Sequence, residues 1–365
     1  MTTLQKNFPV VEVNLKKLRQ NIDEVVSRCN EKGIMVAGVV KGFNGIVEAT
    51  RQFEESNCSF IGSSRLEHLK EAKDAGMKGP FMVVRIPMLS EVPDLVKFAD
   101  ISLNSEIEVI KEINAECARQ GKKHSVILMA DLGDLREGFW DKEAMAKTAV
   151  YIEKNLENVT LAGVGTNLGC YGSINPTIEN MNQLIAIAET IEKEIGRTLS
   201  IISGGGTTSL PLVLDGTMPE RINHLRIGEG ISLGKDLQDL WGLDMSYLHP
   251  DVFTAKAEII EVKDKPSYPV GEIFVDCFGN KGEYVDRGIR KRALLGLGKL
   301  DFAMSDMLIP REKGIEVLGG SSDHLIVDIE EYQGELKVGD FLEFDVRYAT
   351  MMYLTASKYV RIECK

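Results

Sequence analysis

The sequence has little of what marks membrane, nucleic-acid-binding or secreted proteins. It has no apolar run approaching the roughly 18–20 residues of a membrane span, and no signal-peptide core at its N-terminus. Basic residues are in deficit, with 43 against 55 acidic ones and a net charge of −12. That balance argues against nucleic acid as a partner, because phosphates demand a basic surface. We therefore expect a globular protein that binds neither membranes nor nucleic acid.

Cysteine and histidine are also sparse. The six cysteines include no C-x-x-C pair, and the five histidines include no H-x-H or H-E-x-x-H spacing. In a chain of 365 residues, scattered cysteines indicate free thiols in a reducing cytoplasm rather than a disulfide framework. The histidine spacing argues against a histidine-built metal site, and we expect no metal.

What the sequence does have is a regular alternation of apolar runs and helical segments. Two of the helical segments, 105–119 and 176–195, carry apolar residues along one face, and Ser105 is a candidate N-cap for the first. Near-continuous apolar strands between amphipathic helices are typical of parallel sheets covered by helices. Eight such units predict an α/β fold with a (β/α)8 TIM-type barrel, an open doubly wound sheet being the alternative. The apolar runs are 34–40, 58–62, 80–85, 100–104, 125–133, 159–167, 199–205 and 222–228.

The pattern changes after about residue 245. Period-two stretches separated by Gly, Asp and Pro turns replace the helical segments. They predict a C-terminal all-β domain, with one of its strands within residues 271–279. We thus predict two domains, a barrel over residues 9–240 and a β domain over residues 245–365, with residues 1–8 as candidates to pack with the second.

Chemistry in such barrels gathers at the C-terminal ends of the strands. The first strand ends in "GVVKGFNG", where Lys41 follows the apolar run between glycines. The fifth strand leads to Arg136 in "DLGDLREG", the sixth to Asn167 and the eighth to Arg226. The alternative for the lysine is a side chain that simply extends to solvent.

The loop after the seventh strand, "SGGGTTS" (203–209), gives the clearest signal. Its glycines let the backbone approach a ligand and turn N–H groups toward an anion. Gly228 and Gly230 after the eighth strand offer a second cradle, at the usual phosphate site of such barrels. A lysine opposite that site suits a phosphorylated aldehyde such as pyridoxal 5'-phosphate, because burial and nearby cations favour the neutral, nucleophilic amine. The alternative is a glycine-rich turn with a threonine N-cap.

The chain resembles the alanine racemase family of pyridoxal-phosphate enzymes through several motifs in the same order. Within that family it looks most like the alanine/ornithine racemase subgroup, over essentially its whole length. The resemblance implies a barrel followed by a β domain, an amino-acid substrate, pyridoxal phosphate as cofactor, and a homodimer with shared active sites. The motifs are "VVKG", "DLGDLREG", "SGGGTTS", "LRIGEG" and "GGSSDHLIVD".

The resemblance also implies residue roles. Lys41 is the Schiff-base lysine and one of two acid/bases, and Arg136 lies near the cofactor's phenolic oxygen or the substrate carboxylate. Arg226 hydrogen-bonds the ring nitrogen. Because a guanidinium only donates, it would leave that nitrogen unprotonated, which favours racemisation over decarboxylation. The implied phosphate contacts are Ser203, Thr207, the backbone N–H groups of Gly228 and Glu229, and Tyr348.

The sequence departs from the family pattern at two important places. Asn167 stands where the family has a histidine behind the cofactor ring. No tyrosine occurs in "VDCFG" (275–279), the segment aligned with the family's second acid/base. Cys277 is a candidate substitute, because a thiol can exchange a proton near neutral pH, and Asp276 is another. The alternative is that both are buried strand residues.

These departures favour a racemase of ornithine or a related basic amino acid, because Asn167 leaves more room than a histidine. The alternatives are alanine racemase and a non-catalytic pyridoxal-phosphate carrier. Arg226 argues against a decarboxylase, and the missing His/Cys ligand pair argues against a metal-assisted aldolase. A distal substrate ammonium needs a carboxylate, since an unpaired buried cation is costly. The candidates are Asp276, Glu283, Asp286, Asp301 and Asp323.

Overall fold

The chain divides into two units that do not follow its linear order. The computed structural model describes residues 7–365. One unit consists of residues 16–249, and the other combines the described residues up to Leu15 with residues 250–365. The predicted boundaries, 9–240 and 245–365, differ from this division mainly at the N-terminus, because the first strand, β1 (Val10–Val13), pairs within the second unit.

Residues 16–249 contain a closed barrel of eight parallel strands. The predicted TIM-type fold is confirmed, and each of the eight apolar runs overlaps one strand, with three strands extending one residue beyond their runs. Every residue of the fourth and eighth barrel strands is buried, which is why these runs are almost continuously apolar. The barrel strands are β2 (Met35–Val39), β3 (Phe60–Ser63), β4 (Phe81–Val83), β5 (Ile101–Asn104), β6 (His124–Met129), β7 (Val159–Gly165), β8 (Ile201–Gly206) and β9 (His224–Ile227).

The barrel interior is packed with apolar side chains, and the strands lie close together. A Cβ on Gly163 would lie 1.8 Å from the carbonyl oxygen of Ile201 on the neighbouring strand, so only glycine fits there. The interior is therefore a core and not a pore. Its buried members include Ala37, Met82, Ile101, Leu103, Ile127, Met129, Ala162 and Ile201.

Helices alternate with the barrel strands along the chain. The helix predicted over 105–119 begins after Glu106 without a side-chain cap, so the expectation for Ser105 is wrong. The helix predicted over 176–195 begins after Thr177, whose hydroxyl accepts from the N–H of Asn180. The helices are α1 (Leu15–Asn30), α2 (Val47–Glu54), α3 (Leu66–Asp74), α4 (Val92–Phe98), α5 (Ile107–Gln120), α6 (Lys142–Asn155), α7 (Ile178–Ile195), α8 (Leu210–Leu214), α9 (Glu229–Ser232) and α10 (Asp236–Trp241).

The second unit contains an eight-stranded sheet. Besides β1, its strands are β10 (Phe253–Pro266), β11 (Ile289–Leu295), β12 (Leu308–Pro310), β13 (Glu316–Gly320), β14 (Leu325–Asp328), β15 (Phe341–Val346) and β16 (Arg361–Cys364). Six of them are paired in the order β12-β15-β10-β11-β14-β13. The strand β1 pairs antiparallel with β10 and parallel with β16.

Two features of this unit differ from the expectation of an all-β domain. It contains the helices α11 (Lys299–Phe302) and α12 (Tyr348–Ala356), and residues 271–279 form no strand. The rings of Phe8 and Phe341 stack with centroids 5.2 Å apart, so the end of the predicted N-terminal segment packs on β15. Residues 1–6 of that segment lie outside the described residues. No helix between residues 7 and 365 combines the length and apolar character needed to cross a bilayer.

Candidate active site

The C-terminal ends of the barrel strands form what we call the mouth, and Lys41 lies there. A 3-10 turn over Lys41–Phe43 follows β2 and ends at Asn44, which has a φ of 54° and donates its N–H to the Lys41 carbonyl. Gly45 has a φ of +67°, and a Cβ on it would lie 2.6 Å from His68. Phe43 is buried, so a packed turn presents the lysine, which is itself exposed.

The Lys41 side chain reaches solvent, but protein surrounds most of it. Desolvation therefore lowers the pKa of its amine below the ordinary lysine value. Four further groups lie within electrostatic reach, with Cys170 and Glu137 raising that pKa and Arg136 and Arg226 lowering it. At a given pH, a larger fraction of this amine is therefore neutral than for an ordinary lysine, and the neutral form is the one that attacks carbonyls and accepts protons.

Arg226 lies on β9 and is buried at the same mouth. Its guanidinium donates one hydrogen bond to the Ser203 hydroxyl and another, of 2.8 Å, to the carbonyl of Thr166. Burial lowers the pKa of Arg226 to about 10, so it stays protonated at neutral pH. Within residues 7–365, no carboxylate is in ion-pair contact with Arg226, and Glu137 acts on it only through its charge.

The loop after β6 brings Arg136 and Glu137 to the mouth. The Asp131 carboxylate accepts from the N–H groups of Gly133 (2.9 Å) and Leu135 (3.2 Å) and so fixes the turn. Gly138 closes the loop with a φ of +123°, and a Cβ there would lie 2.6 Å from the backbone nitrogen of Asp131.

Arg136 and Glu137 form an ion pair with two hydrogen bonds. Hydrogen bonding to Glu137 raises the pKa of the Arg136 guanidinium above its ordinary value. Burial alone would raise the pKa of Glu137, but the hydrogen bond and charge of Arg136 hold it below the ordinary range. Both groups are therefore charged at neutral pH, and the guanidinium is oriented by its neighbour.

A buried carboxylate, Asp134, ties the loop after β7 to the loop after β6. It accepts from the backbone N–H groups of Gly169 (3.0 Å), Cys170 (3.3 Å) and Tyr171 (3.0 Å). Burial would raise the pKa of Asp134, but these bonds lower it. The thiol of Cys170 is thereby held, exposed, near Lys41.

Two glycine-containing segments, residues 205–207 and 228–230, adjoin each other at the ends of β8 and β9, and we call them the glycine cradle. Thr207 joins them, because its hydroxyl accepts from the N–H of Gly230 at 3.1 Å. A Cβ on Gly228 would lie 3.2 Å from the carbonyl oxygen of Val39, so the backbone approaches β2 closely. Such backbone-lined turns are typical anion sites.

Some predicted phosphate contacts have other partners. The Ser203 hydroxyl is fully buried and engaged with Arg226 and His224, so it lies behind the arginine rather than in the cradle. One oxygen of the Glu229 carboxylate accepts from the N–H groups of Lys235 and Asp236, each at 3.0 Å, so this side chain fixes the following turn.

Asn167 follows Thr166 at the end of β7 and carries an unsatisfied donor. Its side-chain nitrogen is buried and, among residues 7–365, has no hydrogen-bond partner. An unsatisfied buried donor costs about 1–3 kcal/mol. A ligand that accepts a hydrogen bond from Asn167 would remove this cost. Together with the Lys41 amine and the glycine cradle, this unsatisfied donor suits a polar aldehyde that carries an anionic group. The residues present therefore fit pyridoxal phosphate.

The other predicted site residues belong to the second unit. Cys277 is exposed in residues 268–288, a stretch without strand or helix, so the alternative of a buried strand residue is wrong. Asp276 accepts from the N–H groups of Phe278 (2.9 Å) and Asn280 (2.8 Å) and closes a turn. Tyr348 is the first residue of α12.

Sequence reasoning gave no role to two mouth residues, Glu137 and Cys170. Both lie at predicted strand ends, and that position is the signal that could have found them. Within the described part of the chain, no group of three or more His, Cys, Asp or Glu side chains could hold a metal ion.

The fold and the mouth together define a lysine-bearing TIM-barrel enzyme, and comparisons with known proteins identify its family. A model of the alanine racemase N-terminal domain matches residues 13–235. The chain belongs to the alanine racemase family.

Among its relatives, the ornithine racemase of Acetoanaerobium sticklandii is 40% identical over 98% of this chain and 99% of that protein. The lysine racemase of Thermotoga maritima is 40% identical over 97% of both. A solved alanine racemase from Streptomyces lavendulae has the same fold, with a TM-score of 0.78 at 18% identity over 99% of this chain and 98% of that one.

Proposed function

We propose that this chain is a pyridoxal-phosphate-dependent racemase of ornithine or a related basic amino acid. The observation that carries the proposal is the occurrence, at one barrel mouth, of Lys41 with its lowered pKa and of Arg226, a buried guanidinium without a carboxylate partner among the described residues. The names of two relatives, ornithine racemase and lysine racemase, support the substrate class.

Four groups would hold the cofactor. Lys41 supplies an amine for the aldehyde, Arg226 a donor for the ring nitrogen, Asn167 an unsatisfied amide donor, and Thr207 with the glycine cradle a place for the phosphate. When bound, pyridoxal phosphate withdraws electrons from the substrate's Cα, so that its proton can leave and return.

Lys41 is the base for one face of the substrate, because its neutral amine can take the Cα proton and return it. Arg226 moderates the electron withdrawal, since it donates a hydrogen bond and cannot accept one. Arg226 would thereby leave the ring nitrogen of the cofactor unprotonated, which would favour proton return to Cα over side reactions. Arg136, oriented by Glu137, suits the substrate carboxylate through paired N–H donors.

A basic substrate requires a carboxylate for its distal ammonium. Asp301 is buried and accepts from the Ser357 hydroxyl at 2.7 Å, and Asp276 is used in its own turn, so both already have structural roles. Asp286 likewise accepts from the N–H of Gly288 at 2.9 Å in its own turn, so Glu283 and Asp323 remain as candidates from the second unit. At the barrel mouth, Glu137 is also a carboxylate, but its ion pair with Arg136 already engages both of its oxygens.

We further propose a homodimer in which a second copy completes each site. Residues 268–288 expose large apolar side chains, with Val270 91%, Phe274 80% and Val285 74% exposed. The mouth loops likewise expose Trp140 and Tyr171, at 68% and 73%. Exposed apolar surfaces of this kind are typical of interaction sites. If residues 268–288 of a second copy dock on the mouth loops, Cys277 of that copy comes to the mouth.

Two thiols are candidates for the second acid/base, Cys277 from a second copy and Cys170 from the same chain. Racemisation needs a group on each face of a planar carbanion, and Lys41 serves one face only. The specific observation in favour of Cys170 is its position within electrostatic reach of Lys41. All six cysteines are free, which supports a reducing, cytoplasmic setting.

The test is an isotope-exchange assay. The protein is loaded with pyridoxal phosphate, incubated in deuterated water with L-ornithine, L-lysine or L-alanine, and deuterium at Cα is followed by mass spectrometry beside chiral analysis of the product. We expect exchange and racemisation, with kcat/KM for ornithine or lysine at least about tenfold above alanine, or about 1.4 kcal/mol. A preference for alanine would indicate alanine racemase, and cofactor binding without exchange on any amino acid would indicate a carrier.

A further inference from the structure

Behind Arg226, a chain of two hydrogen bonds leads away from the mouth. The Arg226 guanidinium donates to the Ser203 hydroxyl, which lies 2.8 Å from Nδ1 of His224. Ser203 and His224 are direct partners in the pairing of β8 with β9, and Arg226 follows His224 by two residues. Because side chains alternate along a strand, His224 and Arg226 share the same face of β9.

The direction of these bonds follows from the chemistry of the donors. A guanidinium has no acceptor, so the Ser203 oxygen must accept from Arg226. The hydroxyl has one proton of its own, which it can donate to His224. Burial, and to a lesser degree the charge of Arg226, lowers the pKa of His224 to about 3, so its imidazole is neutral and can accept at Nδ1. The bonds therefore run from arginine to serine to histidine.

This arrangement has a cost that a purely apolar core would avoid. With Nδ1 accepting, the imidazole proton is on Nε2, which is buried and has no hydrogen-bond partner within residues 7–365. The ring of Phe60 packs against His224 at nearly right angles, with centroids 5.8 Å apart. Unsatisfied buried polar atoms are rare and call for an explanation.

We propose that His224, acting through Ser203, is a positioning residue that aims Arg226 at the ring nitrogen of the cofactor. The inference rests on the proposed function, in which pyridoxal phosphate binds at the mouth. His224 fixes the rotation of the Ser203 hydroxyl and so presents its lone pair to Arg226. A neutral acceptor chain orients the guanidinium without neutralising it, whereas a carboxylate would bind it more strongly and offset its charge.

The chain contains a matched control elsewhere in the barrel. Asn104 donates to the Ser102 hydroxyl at 2.8 Å, and that hydroxyl lies 2.8 Å from Nε2 of His124. His124 is as buried as His224, and burial lowers its pKa to about 4. The same donor–serine–histidine arrangement thus occurs with an amide in place of the guanidinium.

The experiment compares two ligands that differ only at the ring nitrogen. Apoprotein is titrated with pyridoxal phosphate and with its 1-deaza analogue, in which C–H replaces that nitrogen, and dissociation constants are read from absorbance. The variants are His224→Leu, His224→Asn, which keeps an acceptor near the position of Nδ1, and His124→Leu. Thermal unfolding of each apoprotein reports its stability.

We expect His224→Leu to weaken pyridoxal phosphate about tenfold while binding the deaza analogue as the unsubstituted protein does. His224→Asn should restore most of the loss, and His124→Leu should leave the preference between the two ligands unchanged. If His224→Leu does not fold, Ser203→Ala replaces it as the variant that breaks the hydrogen-bond chain, with the same expected result. Equal weakening of both ligands, or of neither, would overturn the inference. An unsubstituted protein that binds neither ligand would instead contradict the proposed function itself.

Discussion

The mouth loops and residues 268–288 are both rich in turns, but they are built differently. In the mouth loops, buried carboxylates bind backbone N–H groups, and the positive-φ glycines Gly45, Gly138 and Gly169 pack closely against neighbouring residues. Residues 268–288 have mostly local turn bonds, and their large apolar side chains face solvent. The barrel loops therefore hold their cationic side chains in a preformed arrangement, whereas the exposed stretch has the apolar surface typical of an interaction site.

Removing the amine from the preformed region should have the largest effect. We expect Lys41→Ala to slow Cα exchange about 10⁴-fold, because base and cofactor attachment are lost together. Borohydride reduction and peptide mapping of the unsubstituted protein should find the pyridoxyl group on Lys41. Lys142 also has a pKa lowered by burial, but it donates to the carbonyls of Asp131 and Phe139 and should stay unlabelled. A label on another lysine would refute this assignment.

The exposed region can be tested by mixing variants. If Cys277 of a second copy supplies the second acid/base, Lys41→Ala and Cys277→Ala should each be nearly inactive, the latter by about 10²-fold. Subunits mixed under exchange conditions should recover about one quarter of the activity, because half of the dimers are mixed and each has one intact site.

Cys170→Ala is the control for that experiment. Cys170 belongs to the same barrel as Lys41, so a mixed dimer of Cys170→Ala and Lys41→Ala contains no site with both residues intact. Mixing these two variants should therefore not restore activity. Full activity of Cys277→Ala together with loss of activity in Cys170→Ala would assign the proton transfer to the barrel's own thiol, and sedimentation of an active monomer would exclude the shared site.

A smaller effect is expected on the pH dependence of cofactor capture. Capture requires the neutral amine of Lys41, so its rate should rise with pH through the pKa of that amine. Arg136→Gln removes a charge that lowers this pKa, so the rise should move to higher pH. Glu137→Gln removes a charge that raises it and should move the rise to lower pH. Stopped-flow absorbance across a pH series measures both. Shifts of the same sign in the two variants would show that loop distortion, not charge, is responsible.

The smallest expected effect is on stability, and it is tested by substituting one glycine in each region. Gly271, with a φ of +126°, has open space around a built Cβ, so Gly271→Ala costs backbone strain alone, about 1–2 kcal/mol. Gly138, with a φ of +123°, adds a clash with backbone, so Gly138→Ala should cost about 1–3 kcal/mol more. Thermal unfolding of the two variants gives the comparison. Equal loss would mean that the mouth loop relaxes as freely as the exposed stretch.

Sequence reasoning predicted the barrel better than the second unit, for physical reasons. Strands buried on both faces leave near-continuous apolar runs, and all eight were found. The pairing of β1 with β10 joins residues far apart in sequence, which no local pattern reveals. The helix α12, "YATMMYLTA", mixes helix-favouring Ala, Leu and Met with strand-favouring Tyr and Thr, so propensity alone does not decide its structure.

The candidate site was predictable only in part. Lys41, Arg136, Asn167 and Arg226 follow from the rule that strand ends carry chemistry, and the structure brings them to one mouth. The proximity of Glu137 and Cys170 to Lys41 depends on how two loops are folded by Asp131 and Asp134. The partners of Ser203 depend on strand register, which the sequence does not display.

The three bonds that Asp134 accepts come from main-chain N–H groups, which every residue except proline possesses. The loop after β7 can therefore exchange its side chains without losing its anchorage. Gly169 is the exception, because its φ is +75° and a Cβ would lie 2.8 Å from Thr208. Substitutions at positions 170 and 171 therefore change the side chains at the mouth while leaving these backbone bonds in place, which separates the chemistry of the loop from its anchorage.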